Sequence, residues 1–332
     1  MAPQMKYFYE LTISSSPHAH SPLTTQVIMR DVLIALAPAL AGSVYFFGFR
    51  ALMVALISMA ACAFFEWGYC QVTKTHCKVY DLSCLVTGLL LAFVCPVTIP
   101  YWCIIIGDFF AIVVVKQLFG GVGRNIMNPA LAARAFLFSW PAVMSSWVSV
   151  GFDNAAGIFS TADAVTAATP MASLDQGLLP AESLWALFSG NVGGSMGETS
   201  ALLLLIGFGY LMLRRVVTPR IPLSFIGTVA VLTFLFPQGN DRLLWSAAQV
   251  LSGGLVLGAL FMATDYVTSP VTHLGQIVFG IGCGVLTVVI RYFGGYPEGV
   301  SFAILVMNAC VVLLDRIGRP RKFGAPRKEA VK

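Results

Sequence analysis

Apolar residues run through this chain in long blocks, parted by glycine, proline and isolated charges. At roughly 20 residues per membrane crossing, the pattern predicts about ten helices, over 32–49, 51–69, 82–95, 101–115, 132–149, 199–213, 221–237, 244–262, 274–290 and 299–314. The block 82–95 is short and is closed by Pro96 and Pro100. A short, proline-ended span predicts a discontinuous helix lining an internal site, because irregular backbone survives at membrane depth only where protein or water satisfies it.

Composition turns that pattern into a class. Of 332 residues, 58% are apolar and 11% charged, against about 25% charged in a soluble domain, and the mean hydropathy is +0.82. Lipid is therefore the expected solvent for most of the chain. The expected fold class is an all-α polytopic membrane protein of about ten transmembrane helices, with no room for a large soluble catalytic domain. The net charge of +5 gathers at the C-terminus and offers no folded basic face for nucleic acid. The eight cysteines lie mostly in apolar blocks without a CxxC pair, and Cys70, His76 and Cys77 make a weak metal signal. No apolar stretch followed by a small-residue cleavage site occupies the first thirty residues, so no removable signal peptide is expected.

The few charges give a direction. With a cytoplasmic N-terminus, all of the 20 basic residues except Arg50, Arg242 and Arg291 fall on the inner side, as the positive-inside rule requires. The loop 150–198 has no Lys or Arg but carries Asp153, Asp163, Asp175, Glu182 and Glu198, so it is expected outside. The organisation that follows is an N-terminal cytoplasmic segment (1–31), a membrane half (32–149), the outer loop (150–198), a second half (199–314) and a basic cytoplasmic tail (315–332).

An internal repeat agrees with this division. Sliding the chain by 170 residues sets Ser83–Pro100 against Gly253–Pro270, matching Gly88 with Gly258, Leu90 with Leu260 and Val97-Thr98-Ile99-Pro100 with Val267-Thr268-Ser269-Pro270. Two halves of five helices each, an odd number, would lie in opposite orientations, which is the inverted five-plus-five repeat of many transport proteins.

The candidate chemistry lies in the outer loop, at Asp163-Ala164-Val165-Thr166-Ala167-Ala168-Thr169-Pro170. On composition alone this is an open, small-residue turn whose Asp or Thr could cap a helix. The pattern D-x-x-[ST]-x-A-T also resembles the acceptor site at which a flavin transferase joins the phosphate of FMN to the last threonine. Other landmarks follow in order: Leu11–His18, Asp81-Leu82-Ser83 with Val86–Leu90, Phe119–Asn125 with Asn128-Pro129-Ala130, Gly253-Gly254, Met262–Asp265 with Thr268-Ser269-Pro270, and Pro297–Ala303 with Met307-Asn308. Together they resemble the family that holds the D subunit of the Rnf ion-translocating ferredoxin:NAD oxidoreductase and the B subunit of the sodium-pumping NADH:quinone reductase. The length favours the Rnf type.

What the resemblance implies is a membrane flavoprotein subunit of a redox-driven Na⁺ or H⁺ pump in the bacterial cell membrane. FMN would be bound covalently at Thr169, and Asp163, Thr166 and Ala168 would be read by the flavin transferase. Its partners would be the A, B, C, E and G subunits of Rnf, with electrons passing through flavins here and in the G subunit. A second, non-covalent flavin of the riboflavin type is also implied, with Ser14-Ser15-Ser16-Pro17 and Arg134 as candidate contacts. The chain has no nicotinamide fingerprint and no iron–sulfur ligand set, so NAD and ferredoxin fall to other subunits. The rival from another class is a non-redox transporter or channel, which would share the hydropathy but not the flavin.

Single residues add to this. Gly120, Gly121 and Gly123 fit either a flexible loop or a close backbone approach to a cofactor or subunit. Asn128 and Asn308 are expected to cap helix ends, with Asn128 also a candidate flavin contact. A carboxylate in lipid is costly unless paired or wet, so Asp108 in mid-span and Asp265 beside the second break are candidate ion-path residues. Glu66 is expected to snorkel to the inner interface. Trp102, Trp140 and Trp147 are expected as interface anchors.

Overall fold

A computed structural model describes residues 24–74, 79–150, 168–295 and 298–316. The described chain is helices and loops, with no β-strand. The first half contains α1 (Thr25–Phe47), α2 (Phe49–Thr73), α3 (Ser83–Phe93), α4 (Tyr101–Phe109) and α5 (Pro129–Leu137), followed by a single turn, α6 (Pro141–Met144). Two short helices lie in the connecting segment, α7 (Pro170–Asp175) and α8 (Leu184–Ser189). The second half contains α9 (Ala201–Leu213), α10 (Arg220–Leu235), α11 (Arg242–Leu251), α12 (Leu255–Leu257), α13 (His273–Phe293) and α14 (Val300–Leu314). Both α4 and α12 run on in wider π-helical turns, through Phe110–Gln117 and Gly258–Met262.

Every predicted apolar block carries a helix, but the lengths differ from those expected. Among the described residues, only α1, α2 and α13 are single helices long and apolar enough to cross a membrane. The α11–α12 pair, bent by 64°, makes a fourth if it is counted as one span. The 11 residues of α3 cover about 16 Å at 1.5 Å per residue, roughly half of a 30 Å hydrocarbon core. The block expected over 132–149 divides at Ser139-Trp140-Pro141, where proline opens a new turn.

Local sequence sets the helix ends. Gly48, at φ +80°, turns the chain sharply from α1 into α2, a conformation that favours glycine. Asn128 caps α5 by accepting hydrogen bonds from the N–H groups of Ala130 and Leu131, and Pro129 supplies its first residue. Asp241 and Thr272 cap α11 and α13 in the same way. Exposed Phe64, Trp67, Leu213, Leu223 and Phe293 stud the outside, an apolar surface on the scale expected when the contacting solvent is lipid.

The first half runs two helices, a short helix, a break ending at Pro100, then α4 and α5; the second has one helix more, α11, ahead of the short α12 and a break ending at Pro270. Helix α1 packs along α9, and α5 meets α14. The first break and the α11–α12 bend are each braced by a buried arginine. Arg50 donates to the carbonyls of Val97 (2.8 Å) and Ile99 (3.1 Å) in the first break. Arg291 donates to those of Gln249 (2.6 Å) and Ser252 (3.2 Å) at the α11–α12 bend. This corrects the reading of Arg50 and Arg291 as loop charges, for both are buried and satisfy backbone that neither helix nor water reaches.

Candidate functional site

Thr169 stands immediately before Pro170, in the N-cap position of α7, but its side chain makes no capping hydrogen bond. Composition alone allows a cap here, and the half-buried hydroxyl does not make one. It lines two adjoining cavities. The larger, of about 190 Å³, is walled by Phe138, Met144, Trp147 and Phe302 and floored by Glu298 and Ser301. The smaller, of about 30 Å³, is lined by Ser195, Glu198, Ser252 and Gly253.

A buried charge cluster forms the base of both. Arg134, on α5, donates to Glu198 at 2.9 Å, to the Ser301 hydroxyl at 3.1 Å, and to Glu298. Its guanidinium lies 5.7 Å from the centre of the Phe138 ring. Arg291 approaches from α13 and donates to the Glu298 backbone carbonyl at 3.3 Å. Two arginines and two glutamates thus balance one another, the arrangement that makes buried charge tolerable. Gly254 makes room for it, since a Cβ there would overlap the Glu198 carboxylate. At the small cavity the Ser195 hydroxyl stands toward the Glu198 carboxylate, while Ser252 Oγ is buried with no hydrogen-bond partner among the described residues. Buried polar atoms are nearly always paired, so the hollow has polar groups to offer a ligand or water.

A second polar region lies inside the first half. Asp108 on α4 is fully buried, with Ser58 at 2.7 Å and the Cys62 thiol at 3.2 Å. Further along the same helices, Lys116 donates to Glu66 at 2.7 Å and to Ser83 at 2.8 Å. Glu66 therefore does not snorkel. It is 1% exposed and ion-paired, because α4 runs beside α2 and delivers Lys116 to it. Cys62, Cys84 and Ile112 pack as an apolar plug between the two groups.

Lys116 and Ser83 also line a third cavity, of about 90 Å³, shared with Thr87, Asn125, Asn128 and Asp265. Asp265 accepts from Thr268 at 3.1 Å. Asn128 does more than cap, since its amide donates to the Met262 carbonyl at the second break (3.3 Å). Asn308 completes the link, with its amide within 3.0 Å of Thr268 O and 3.1 Å of the Asn128 N–H.

The structure thus brings Thr169 and Arg134 to one site, and Asn128 and Asp265 to another, with Asp108 apart from both. Gly120 and Gly121 lie outside the three cavities. Their φ values of +108° and +85° account for glycine in a turn that follows α4. Ala168 is exposed beside Thr169. Asp163, Thr166, Ser14–Ser16, His76 and Cys77 lie outside the described residues. Sequence reasoning counts Glu198 only among the acidic residues of the outer loop and gives no role to Arg291 or Ser252. Glu298 carries a signal, for it stands within the Pro297–Ala303 landmark.

Comparison with known proteins covers nearly the whole chain. Residues 12–324 match the model of the NQR2, RnfD, RnfE family. A protein of Acetobacterium woodii, named as the D subunit of a Na(+)-translocating ferredoxin:NAD(+) oxidoreductase complex, is 44% identical over 328 residues, covering 96% of this chain and 98% of that protein. One of Clostridium ljungdahlii, named as the D subunit of a proton-translocating ferredoxin:NAD(+) oxidoreductase complex, is 41% identical, covering 95% and 97%. A third, from Stutzerimonas stutzeri, named as the D subunit of an ion-translocating oxidoreductase complex, is 38% identical, covering 90% and 91%.

Proposed function

The chain belongs to the NQR2, RnfD, RnfE family, and from that premise we propose that it works as the D-type membrane subunit of an ion-translocating ferredoxin:NAD oxidoreductase, carrying FMN on Thr169. The subunit role rests on relatives that match over almost their full length. It is a multi-pass membrane protein acting with other Rnf subunits and is not a self-sufficient enzyme. The ten-span inverted repeat, with both termini in the cytoplasm and residues 150–198 outside, belongs to the same proposal. The pairing of α1 with α9 and of α5 with α14 supports it.

The single observation that carries the flavin assignment is the Thr169 hydroxyl, uncommitted to its helix and set at the mouth of two cavities. The residues fit the group. Phe138, Trp147 and Phe302 offer flat apolar walls, and the Glu198 and Ser252 oxygens offer polar ones. FMN esterified through its phosphate to Thr169 would supply an electron relay between partner subunits. The chain's own part is to hold that group against an aromatic wall, exclude water from it, and fix Arg134 and Glu298 beneath it. Asp108 and Asp265 stay the proposed ion-path residues, Asp265 because it lines the third cavity and Asp108 because it is a carboxyl buried in mid-helix. Of the contacts expected for a second flavin, Arg134 already serves Glu198, Glu298 and Ser301, and Ser14–Ser16 lie outside the described residues.

The experiment is a denaturing gel of the protein expressed with its flavin transferase. The wild-type band should fluoresce under ultraviolet light, and Thr169→Ala should abolish the signal. A dark wild-type band defeats the flavin reading and leaves the non-redox transporter.

A further inference from the structure

Asp108 meets its neighbours through one oxygen. Ser58 Oγ lies 2.7 Å from Asp108 Oδ1 and 2.8 Å from the Gly88 carbonyl oxygen. A serine brings one hydrogen and can stand between two acceptors, as Ser43 does between the Ala39 and Met196 carbonyls (2.8 and 2.6 Å). With a proton on Asp108, each contact has its own hydrogen: Asp108 O–H to Ser58 Oγ, and Ser58 O–H to Gly88 O.

The surroundings agree. Asp108 has no exposed surface, and its Oδ2 has no partner. A carboxylate left like that would carry an unpaired charge in a medium that cannot solvate it, at a cost of several kcal/mol. The titratable groups facing it are Cys62 on α2 and Cys95 beyond the end of α3, both buried. A nearby cation, Lys116, is held at Glu66 and Ser83 on the far side of the apolar plug. From α5 comes Leu137, packed on Gly107.

We propose that Asp108 stands here as a neutral carboxylic acid and is a proton-loading site of the first half, with Ser58 and Gly88 as its hydrogen-bond chain. The proposal deepens the ion-pump reading and rests on it for its purpose. The same groups satisfy both states of the acid. When its O–H bond breaks and the proton leaves to water, the Ser58 hydrogen turns from Gly88 to Asp108, joining the Cys62 thiol as a second donor. Gly88 is required for the arrangement: a Cβ there would meet the Ser58 backbone oxygen at 2.8 Å and Met59 Cα at 2.9 Å, so only glycine lets α3 bring its carbonyl to Ser58. Between Asp108 and the Lys116-lined cavity, α4 changes to π-helical turns, a feature common at functional sites and able to shift register by one residue. That segment is where access to the acid would open.

Infrared difference spectroscopy of the full complex in lipid tests this. The wild type should show the carbonyl band of a protonated carboxylic acid that Asp108→Asn removes. In Ser58→Ala the band should persist at a shifted frequency, because the acid has lost its acceptor. A band that survives Asp108→Asn, or is missing from the wild type, overturns the proposal. So does a band that disappears when sodium is added at fixed pH, which would make this a sodium site. If Asp108→Asn does not assemble, Ser58→Ala decides, and an unshifted band is the contrary result. In-gel flavin fluorescence on the same samples separates the two readings: a fluorescent protein whose band survives Asp108→Asn sinks only this proposal, while a dark wild type with the band present sinks only the flavin assignment.

Discussion

The acid seam in the first half and the arginine cluster beneath Thr169 are both buried and polar, yet they are built by opposite means. The seam draws on α2, α3 and α4 alone, and at Asp108 it avoids charge. The cluster draws Arg134 from α5, Glu198 from the connecting segment, Arg291 from α13, and Glu298 and Ser301 from the start of α14. There the charges are kept and balanced across the two halves. Asp108 lines none of the three cavities, whereas the arginine cluster supplies walls to two of them. A neutral acid can gain or lose a proton with only local rearrangement. A balanced ion cluster between halves is suited to holding a bound group in place, and altering it disturbs the whole interface.

That contrast is broken most directly at Arg134. Arg134→Leu strands the buried Glu198 and the half-buried Glu298, and removing one partner of a buried pair costs about 3–5 kcal/mol. The purified protein should lose that stability in thermal unfolding, and Arg134→Lys should lose less while failing to serve both carboxylates at once. Asp108→Asn should cost much less, because an amide replaces a neutral acid of the same shape. If Asp108→Asn proves as damaging as Arg134→Leu, Asp108 is carrying a charge and the contrast fails.

Glu66 and Lys116 offer a case inside the seam where charge is kept. Lys116→Met alone leaves Glu66 buried without a cation, and Glu66→Gln alone leaves Lys116 without an anion. Each should destabilise by about 3 kcal/mol, with the double substitution recovering most of the loss. Simple addition of the two effects would mean that the residues do not depend on each other.

Gly88→Ala comes next in size. The added methyl meets backbone atoms of Ser58 and Met59 below 3.0 Å, and overpacking of this kind costs about 1–3 kcal/mol. It should also move the Asp108 carbonyl band, since α3 must retreat and take the Gly88 carbonyl with it. Lost stability with an unmoved band would detach the helix contact from the acid.

How much of this could be read beforehand follows from what each feature depends on. Apolar blocks, the prolines at 96, 100 and 129, and the cap at Asn128 act locally, so the helices and several of their ends were legible. Asp108 stood out because a carboxyl inside an apolar block is conspicuous. Glu66 was misjudged because its fate depends on Lys116, 50 residues away, which only the packing of α4 on α2 brings to it. Glu198 was passed over for the same reason, since its partner Arg134 lies across the division between the halves. Arg50 and Arg291 were counted as loop charges because the carbonyls they brace are exposed only by chain breaks that hydropathy does not draw in space. Thr169 was found through a pattern, but the freedom of its hydroxyl is a property of the α7 terminus, visible only in three dimensions.

The smallest expected effect is the most discriminating for the cluster. Ser252 Oγ is buried at the small cavity and has no partner among the described residues, while the Ser252 backbone carbonyl is held by Arg291. Ser252→Ala removes an unsatisfied hydroxyl and leaves that backbone contact intact, so the flavin-free chain should change in stability by less than about 0.5 kcal/mol, or gain slightly. In the chain carrying flavin on Thr169, the same substitution should cost more and alter the fluorescence of the attached group, because the hydroxyl would then have a partner to lose. Equal effects in the two forms would show that the hollow beside Glu198 takes no part in holding the group, and would leave the aromatic wall of Phe138, Trp147 and Phe302 as its only seat.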